Sequence, residues 1–596
     1  MGRKRSISPT RSRSGSRSKS PRRRIKRERK SPDIKREIDN ENHANSDLPK
    51  DIEIFESFAE NNSSMKKILK RFDWNYEDAN LWMEVIKELE KEEASLAVMR
   101  AAFSEIVDRW PYCYGYWCKW ASLEAKWDSA KAIEVFEYAV NVFPLSVDLW
   151  LSYIRLMRME LMKRRDGLEG IQRLNARALM RVGKEWRSLP VWKEVIAFEN
   201  SIGNSKAVTI VMDNMISTPL NGLNEAWELL TNHFEITPLN SLLKDIERNE
   251  IEGQCLKDEM KMDERICKMK ALERRRGLYE ETRRKAKEMG EYESRVKRHY
   301  FHWKPLERGQ LVNWRRYLEW TRSHCEGANE TVLIFERALI PCALYDEFWL
   351  MYADYRESRG ELDLAMRILE RAHRIHCKKS VNITINLASL MEIMDLGYDA
   401  TEVLINFDMK YPGNLLIYNR YLSIIKRREM IYSGKESVHD KSVCETYECL
   451  IRYSVLPYAH LNPRMHSHEL YDKDRHHISS YYSMHYARYL RKVKGQSKMA
   501  LKVLKTAIAN DPTNETLYHA LIDLHYEKYP LDSQSIKESF DLCINSPQTP
   551  LRVKVRMSQC KIELFEEIGT CPKEIREFTT SHRELMSSKE EKEFID

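Results

Sequence analysis

A chain of 596 residues is too long for one ordinary hydrophobic core, so several domains or a repeat array are expected. Only 19 Gly and 19 Pro stand among abundant Leu, Glu, Lys, Arg, Met and Ala, which favours helix over sheet, and no run of eighteen apolar residues is present to span a membrane. The net charge of +8 averages two unlike parts: residues 1–36 carry sixteen Lys/Arg against Glu28 and Asp33, a balance of +14, which leaves −6 for the rest and argues against a body that wraps a long nucleic acid.

The first element is a tail, residues 1–50. It is basic and Arg/Ser-rich, has almost no apolar residues, and cannot repay the entropy of ordering itself, so disorder is expected. Ser-Pro pairs at Ser8, Ser20 and Ser31 are candidate phosphosites, each phosphate adding about −1.5 to −2 charge. A plain nuclear-import and solubility tail explains the same residues, and either reading places the chain in the nucleus. Gly2 and Ser6 also fit the loose N-myristoylation pattern, but the Arg-Ser run accounts for the same charges, so no lipid is expected.

From residue 65 to 235 a helical hairpin recurs. Trp82, Trp117, Trp150 and Trp192 each open an amphipathic helix, and a second helix such as AIEVFEYAVNVFP follows and ends at a proline. Residues 236–300 lose the pattern in a charged run, predicted to be a long solvent-exposed helix joining two arrays. Residues 301–560 resume it at Trp314 and Trp349, with fainter copies near Ile385, Tyr418, Tyr482 and Tyr518. Most neighbouring openings lie 33 to 36 residues apart, the period of a two-helix solenoid. An irregular insertion is expected at 430–478, long enough for a loop, an extra helix or both, and residues 561–596 form a C-terminal extension.

The detail of the repeat narrows its type. The first helix carries Trp-x-x-aromatic-x-x-x-Glu, as at Trp117, Trp120 and Glu124, with Trp150 and Tyr153, Trp192 and Glu199, Trp314 and Tyr317, and Trp349 and Tyr352 in related positions. The second carries Phe335-Glu336-Arg337-Ala338 or Leu369-Glu370-Arg371-Ala372. This resembles the half-a-TPR (HAT) repeat, and RHYFHWKPLERGQLVNWRRYLEW with IFERALIPCALYDEFWLMYADYRE, residues 298–357, is similar to the start of the second array in the pre-mRNA-processing factor 39 family. The resemblance implies an all-α, right-handed superhelical solenoid in two HAT arrays. It further implies a scaffold of the U1 small nuclear ribonucleoprotein (U1 snRNP) in 5′ splice-site recognition. The expected partners are U1 snRNP proteins and other splicing factors, with a homodimer or paralogue heterodimer through the second array. RNA contact would be indirect or weak. Thr321 departs from the pattern, standing where Glu is expected after Trp314 and Tyr317.

Recurring tryptophans read as core rather than as a ligand box, because burying one removes about 150–250 Å² from water, worth roughly 4–6 kcal/mol. A carboxylate on that aromatic face needs a partner, so Glu124 is expected to accept from an indole N–H or to pair with an Arg of a neighbouring helix. His466, His468, His476 and His477 with Asp472 and Asp474 are the one metal-like cluster, read as solvated loop residues, and His373, His376 and Cys377 are given no chemistry. Twelve cysteines without a CxxC pair suggest free thiols in a reducing compartment. No phosphate loop, GxSxG elbow or HExxH motif appears, so no catalytic residue, cofactor or metal is expected. Arg274–Arg276, Arg283–Lys285 and Lys297–Lys304, interleaved with Tyr279, Tyr292, Tyr300, Phe301 and Trp303, form an RNA-like pattern, but interspersed glutamates favour a self-paired helix.

Overall fold

The structure, a computed structural model, describes residues 52–60, 62–72, 78–162, 167–257, 264–324, 327–431, 442–457, 469–569 and 571–593. These hold 28 α-helices, one π-helical turn and no strand. Ser8, Ser20, Ser31, Gly2 and Ser6 lie outside the described residues. Two compact units divide the chain, one ending at Leu81 and the other starting at Trp82.

In the first unit, α1 (Ile52–Glu60) and α2 (Ser63–Phe72) bury Phe55, Ala59 and Met65. The expected start of the first array, residue 65, thus falls inside this small unit. Helix α3 (Ala79–Lys91) carries the boundary.

In the second unit the hairpins are α5 (Tyr114–Ala125) with α6 (Ser129–Val142), α7 (Val147–Leu161) with α8 (Gly167–Val182), and α9 (Leu189–Ser201) with α10 (Ser205–Ile216); α4 (Leu96–Arg109) precedes them. Short polar residues start these helices by satisfying free N–H groups: Asp128 accepts from Ala130 N at 2.9 Å, Ser146 from Leu149 N at 3.3 Å, and Asn204 from Ala207 N at 3.3 Å. Each hairpin is apolar on more than one side, so stacking on its neighbours is what buries it.

After α11 (Leu223–Ile236), α12 (Leu239–Leu242) and α13 (Asp245–Lys257) comes the 30-residue α14 (Glu264–Glu293). It is not the solvent-exposed rod expected for 236–300. Cys267, Ala271, Arg275, Tyr279, Thr282 and Ala286 recur at three- and four-residue steps, a single stripe, and are buried against α10, α11 and α13. The surrounding charge hid the stripe, and its one cation is matched: Arg275 Nε and Nη2 reach Asp213 at 2.6 and 2.8 Å, and Nη1 reaches Glu247 at 2.7 Å.

The second array stacks α15 (Arg308–His324) with α16 (Ala328–Ala338), α17 (Asp346–Ser358) with α18 (Leu362–Arg371), and α19 (Val381–Ile393) with α20 (Gly397–Lys410). Beyond α21 (Leu415–Ile431), the insertion at 430–478 contains α22 (Val443–Tyr453), whose Tyr447 and Leu450 join the core. Helix α23 (Glu469–Lys492) begins inside it, so His476 and His477 are exposed residues of a helix rather than of a loop; His466 and His468 lie outside the described residues. Then come α24 (Ser497–Asn510), α25 (Glu515–Tyr526), α26 (Ser533–Ile544), α27 (Leu551–Ile568) and α28 (Pro572–Glu593). Gly569, at φ 73°, ends α27 in the left-handed region that glycine tolerates best. Among the described residues no helix is long and apolar enough to cross a membrane, and no group of three His, Cys, Asp or Glu is gathered as a metal would need.

Asp408, at the end of α20, is buried and accepts from Leu456 N at 2.8 Å, which ties the chain after α22 to the array. Burial pushes its carboxyl up to about 7, against the pull of the Leu456 N–H and the Tyr418 hydroxyl. Since the folded value lies above the ordinary one, ionisation costs the fold nothing below about pH 4 and its full amount above about pH 7. Asp408→Asn is therefore expected to raise the urea midpoint at pH 8, by an equivalent of about 2–4 kcal/mol, and to leave it nearly unchanged at pH 4.5. Equal shifts at both pH values would refute this.

Candidate partner scaffold and the junction between the arrays

Trp82, Trp117, Trp150, Trp192, Trp314 and Trp349 are all buried, as are Tyr153, Tyr317, Tyr352 and Phe335, while Trp120 and Glu336 sit half-buried at the core margin. The indoles are held in a repeated way. Trp117 donates to Pro111 O at 2.9 Å, Trp150 to Pro144 O at 2.8 Å and Trp349 to Ala343 O at 2.8 Å, always six residues back, and Tyr518 reaches Pro512 O at 3.0 Å in the same manner. Each ring thereby caps the turn that leads into its own helix. Trp192 uses Gly183 O at 3.0 Å instead, and Trp314 Nε1 has no hydrogen-bond partner among the described residues.

The buried glutamates are also partnered. Glu124 takes both a bidentate Arg100, at 2.6 and 2.6 Å, and the Trp120 indole at 3.0 Å. Hydrogen bonds from Arg100, outweighing burial, hold its carboxyl below the usual range. Glu199 accepts from Gln172 at 3.2 Å and Asn204 at 3.2 Å. Thr321, at the Glu position of its repeat, needs no such partner because its hydroxyl donates to Tyr317 O at 2.7 Å.

One five-residue arrangement occurs three times among the described residues. An aromatic-Glu pair lies on a second helix, Trp-x-x-Tyr lies on the next first helix, and an Arg from the following second helix closes on the glutamate. In the first copy Phe136 stacks on Tyr153 at 5.5 Å, and Arg177 bonds Glu137 at 2.7 Å while covering the Trp150 ring at 5.4 Å. In another, Phe335 stacks on Tyr352 at 4.9 Å, and Arg371 bonds Glu336 at 2.9 Å over Trp349 at 5.0 Å. Between these, Tyr292 stacks on Tyr317 at 5.0 Å, and Arg337 bonds Glu293. The end of the charged linker helix is thus a second helix of a repeat, disguised by its composition.

This middle copy differs because the first array reaches into it. Arg337 Nε donates to Glu185 Oε1 at 2.9 Å, Nη2 to Glu293 Oε2 at 3.0 Å and Nη1 to Glu293 Oε1, and all three side chains are buried. Burial pushes the Glu185 carboxyl up against Arg337, whereas the two carboxylates overcome burial to hold the guanidinium above its ordinary value. Nearby, the π-helical turn Ala372–His376 extends α18 and places the His376 ring 4.5 Å from Tyr112 and 5.1 Å from Trp349. Burial, then Arg371 and Lys378, drives that ring down to about 3, so it is neutral at cellular pH. Phe301, Ile340 and Ala343 complete the first array's core, and Trp303 meets Trp110 at 6.2 Å. The arrays share a packed, ion-paired junction rather than a tether.

Most rings of the linker's RNA-like pattern are packed inside the fold. Tyr279 stacks on Trp227, Tyr292 on Tyr317, and Phe301 and Trp303 enter the junction, leaving Tyr300 exposed, while Glu280–Arg283 and Glu281–Lys285 pair along α14. Glu185, Glu293, Arg337 and His376 had no sequence signal as a group. The one available hint was the repeat of aromatic-Glu at Phe136-Glu137, Tyr292-Glu293 and Phe335-Glu336.

Two family models match the chain, described as PRP39 N-terminal HAT repeat over residues 66–232 and PRP39 C-terminal HAT repeat over residues 287–428, together just over half of it. Pre-mRNA-processing factor 39 of Homo sapiens is 26% identical over 91% of this chain and 80% of its own length. The protein of that name in Xenopus laevis is 27% identical, over 86% and 78%. Cleavage stimulation factor subunit 77 of Arabidopsis thaliana is 20% identical over 60% of this chain and 48% of its own.

Proposed function

Because the chain belongs to the pre-mRNA-processing factor 39 family, HAT-repeat factors of pre-mRNA splicing, we propose that it is a non-enzymatic scaffold of the U1 snRNP in 5′ splice-site recognition. The observation that carries a scaffolding role is the junction: Glu185, Glu293 and Arg337 join two arrays into one body, which holds partner surfaces at fixed separation. Nuclear localisation, contacts with U1 proteins and other splicing factors, and a homodimer or paralogue heterodimer through the second array follow from the family. Catalysis and cofactor binding have no part in this reading.

Affinity purification of the full chain from nuclear extract tests it. U1 RNA and its core proteins are expected in the eluate. Recovery of 3′-end cleavage factors without U1 RNA would move the chain to that machinery instead. Light scattering on the purified chain tests the homodimer, with a monomer mass at micromolar concentration counting against it and leaving the paralogue heterodimer.

A further inference from the structure

A strip of uncompensated cations runs across the C-terminal end of the second array. Lys498, Lys502 and Lys505 lie at i, i+4 and i+7 on α24, hence on one face spanning about 10 Å. All three are exposed, and none makes an ion pair among the described residues. Other exposed lysines of the molecule do find carboxylates, as at Lys119–Glu90, Lys193–Glu225 and Lys494–Glu429.

Beyond Lys505 the positive charge continues. Lys528, which makes no ion pair at contact distance although Asp532 feels its charge, places Nζ 3.2 Å from His525 Nδ1. Burial, then Lys528 and Lys505, push the His525 ring below its ordinary value; Asp532 and Glu538 are the nearby carboxylates that oppose the effect. Flanking Lys528, Tyr526 is 42% exposed and Tyr529 101% exposed, so these rings offer open faces. Evenly spaced cations beside free aromatic faces suit a ligand with a regular anionic backbone and flat bases. An acidic peptide would use the lysines but leave the rings idle.

We propose that Lys498, Lys502, Lys505 and Lys528 hold the phosphates of single-stranded RNA, with bases stacking on Tyr526 and Tyr529. The site uses no residue of the basic tail.

Ultraviolet cross-linking of the full chain to oligo(U), mapped by mass spectrometry, tests this with the tail as internal control. Cross-links are expected in the segment Tyr526–Leu531. The double variant K502E/K505E should lower their yield at least ~5-fold, while cross-links in residues 1–50 persist. Y529A should lower it as well, without touching the lysines. Cross-links confined to the tail, or a yield in that segment unchanged by K502E/K505E, would overturn the proposal. So would a strip that binds poly-glutamate in a lysine-dependent way and leaves oligo(U) unlabelled there, which would make it a protein-docking surface.

Discussion

Replacing Arg337 with alanine is expected to destabilise the second unit by about 3–5 kcal/mol and to loosen both arrays at once. The cost is not chiefly a lost attraction. It comes from leaving Glu185 and Glu293 facing each other in a water-poor interior without the cation that both bond. Urea unfolding reads the magnitude, and hydrogen exchange reads the place: protection should fall at the turn carrying Glu185 and at the end of α14 together. Loss confined to α16 would mean that the arrays do not depend on this contact. Removing the whole ion cluster with apolar side chains of similar volume should recover much of the loss, since desolvation of all three groups then disappears as well.

Trp349→Ala should cost a comparable ~3–5 kcal/mol. The indole is fully buried, and its removal opens a cavity, leaves Ala343 O with only the weak Cys377 thiol donor at 3.4 Å, and strips one face each from His376 and Arg371. Trp127→Ala is the control: that ring is 75% exposed, and its loss should fall within about ±0.5 kcal/mol. Thermal unfolding of the two variants side by side separates burial from residue type. Equal shifts would deny that the repeat tryptophans are the core.

The helical hairpins were legible in the sequence because bulky rings recur at a fixed period and each must be buried by a neighbour. Glu124 was legible too, since a carboxylate on an aromatic face announces a need for donors, which Arg100 and Trp120 supply. The junction was not. Tyr112, Glu185, Glu293, Arg337 and His376 come from distant segments, and no period links them. Arg337 and Arg371 hold the same place in their repeats, yet one is locked between two buried carboxylates and the other closes on a half-buried one. What separates them is a turn of the first array arriving beside Arg337. Helix α14 failed for another reason: its buried stripe of small and polar residues, Ala271, Arg275, Thr282 and Ala286, carries too little hydrophobicity to stand out among flanking charges.

The double duty of α14 has a consequence for how the molecule divides. A cut before residue 264 would strip the cover from α10 and α11, and a cut at 300 would deprive Trp314 and Tyr317 of the aromatic-Glu pair beneath them. Wherever the knife falls, one half keeps a sticky raw edge. Evolution can lengthen such a chain at its ends far more readily than it can swap its halves.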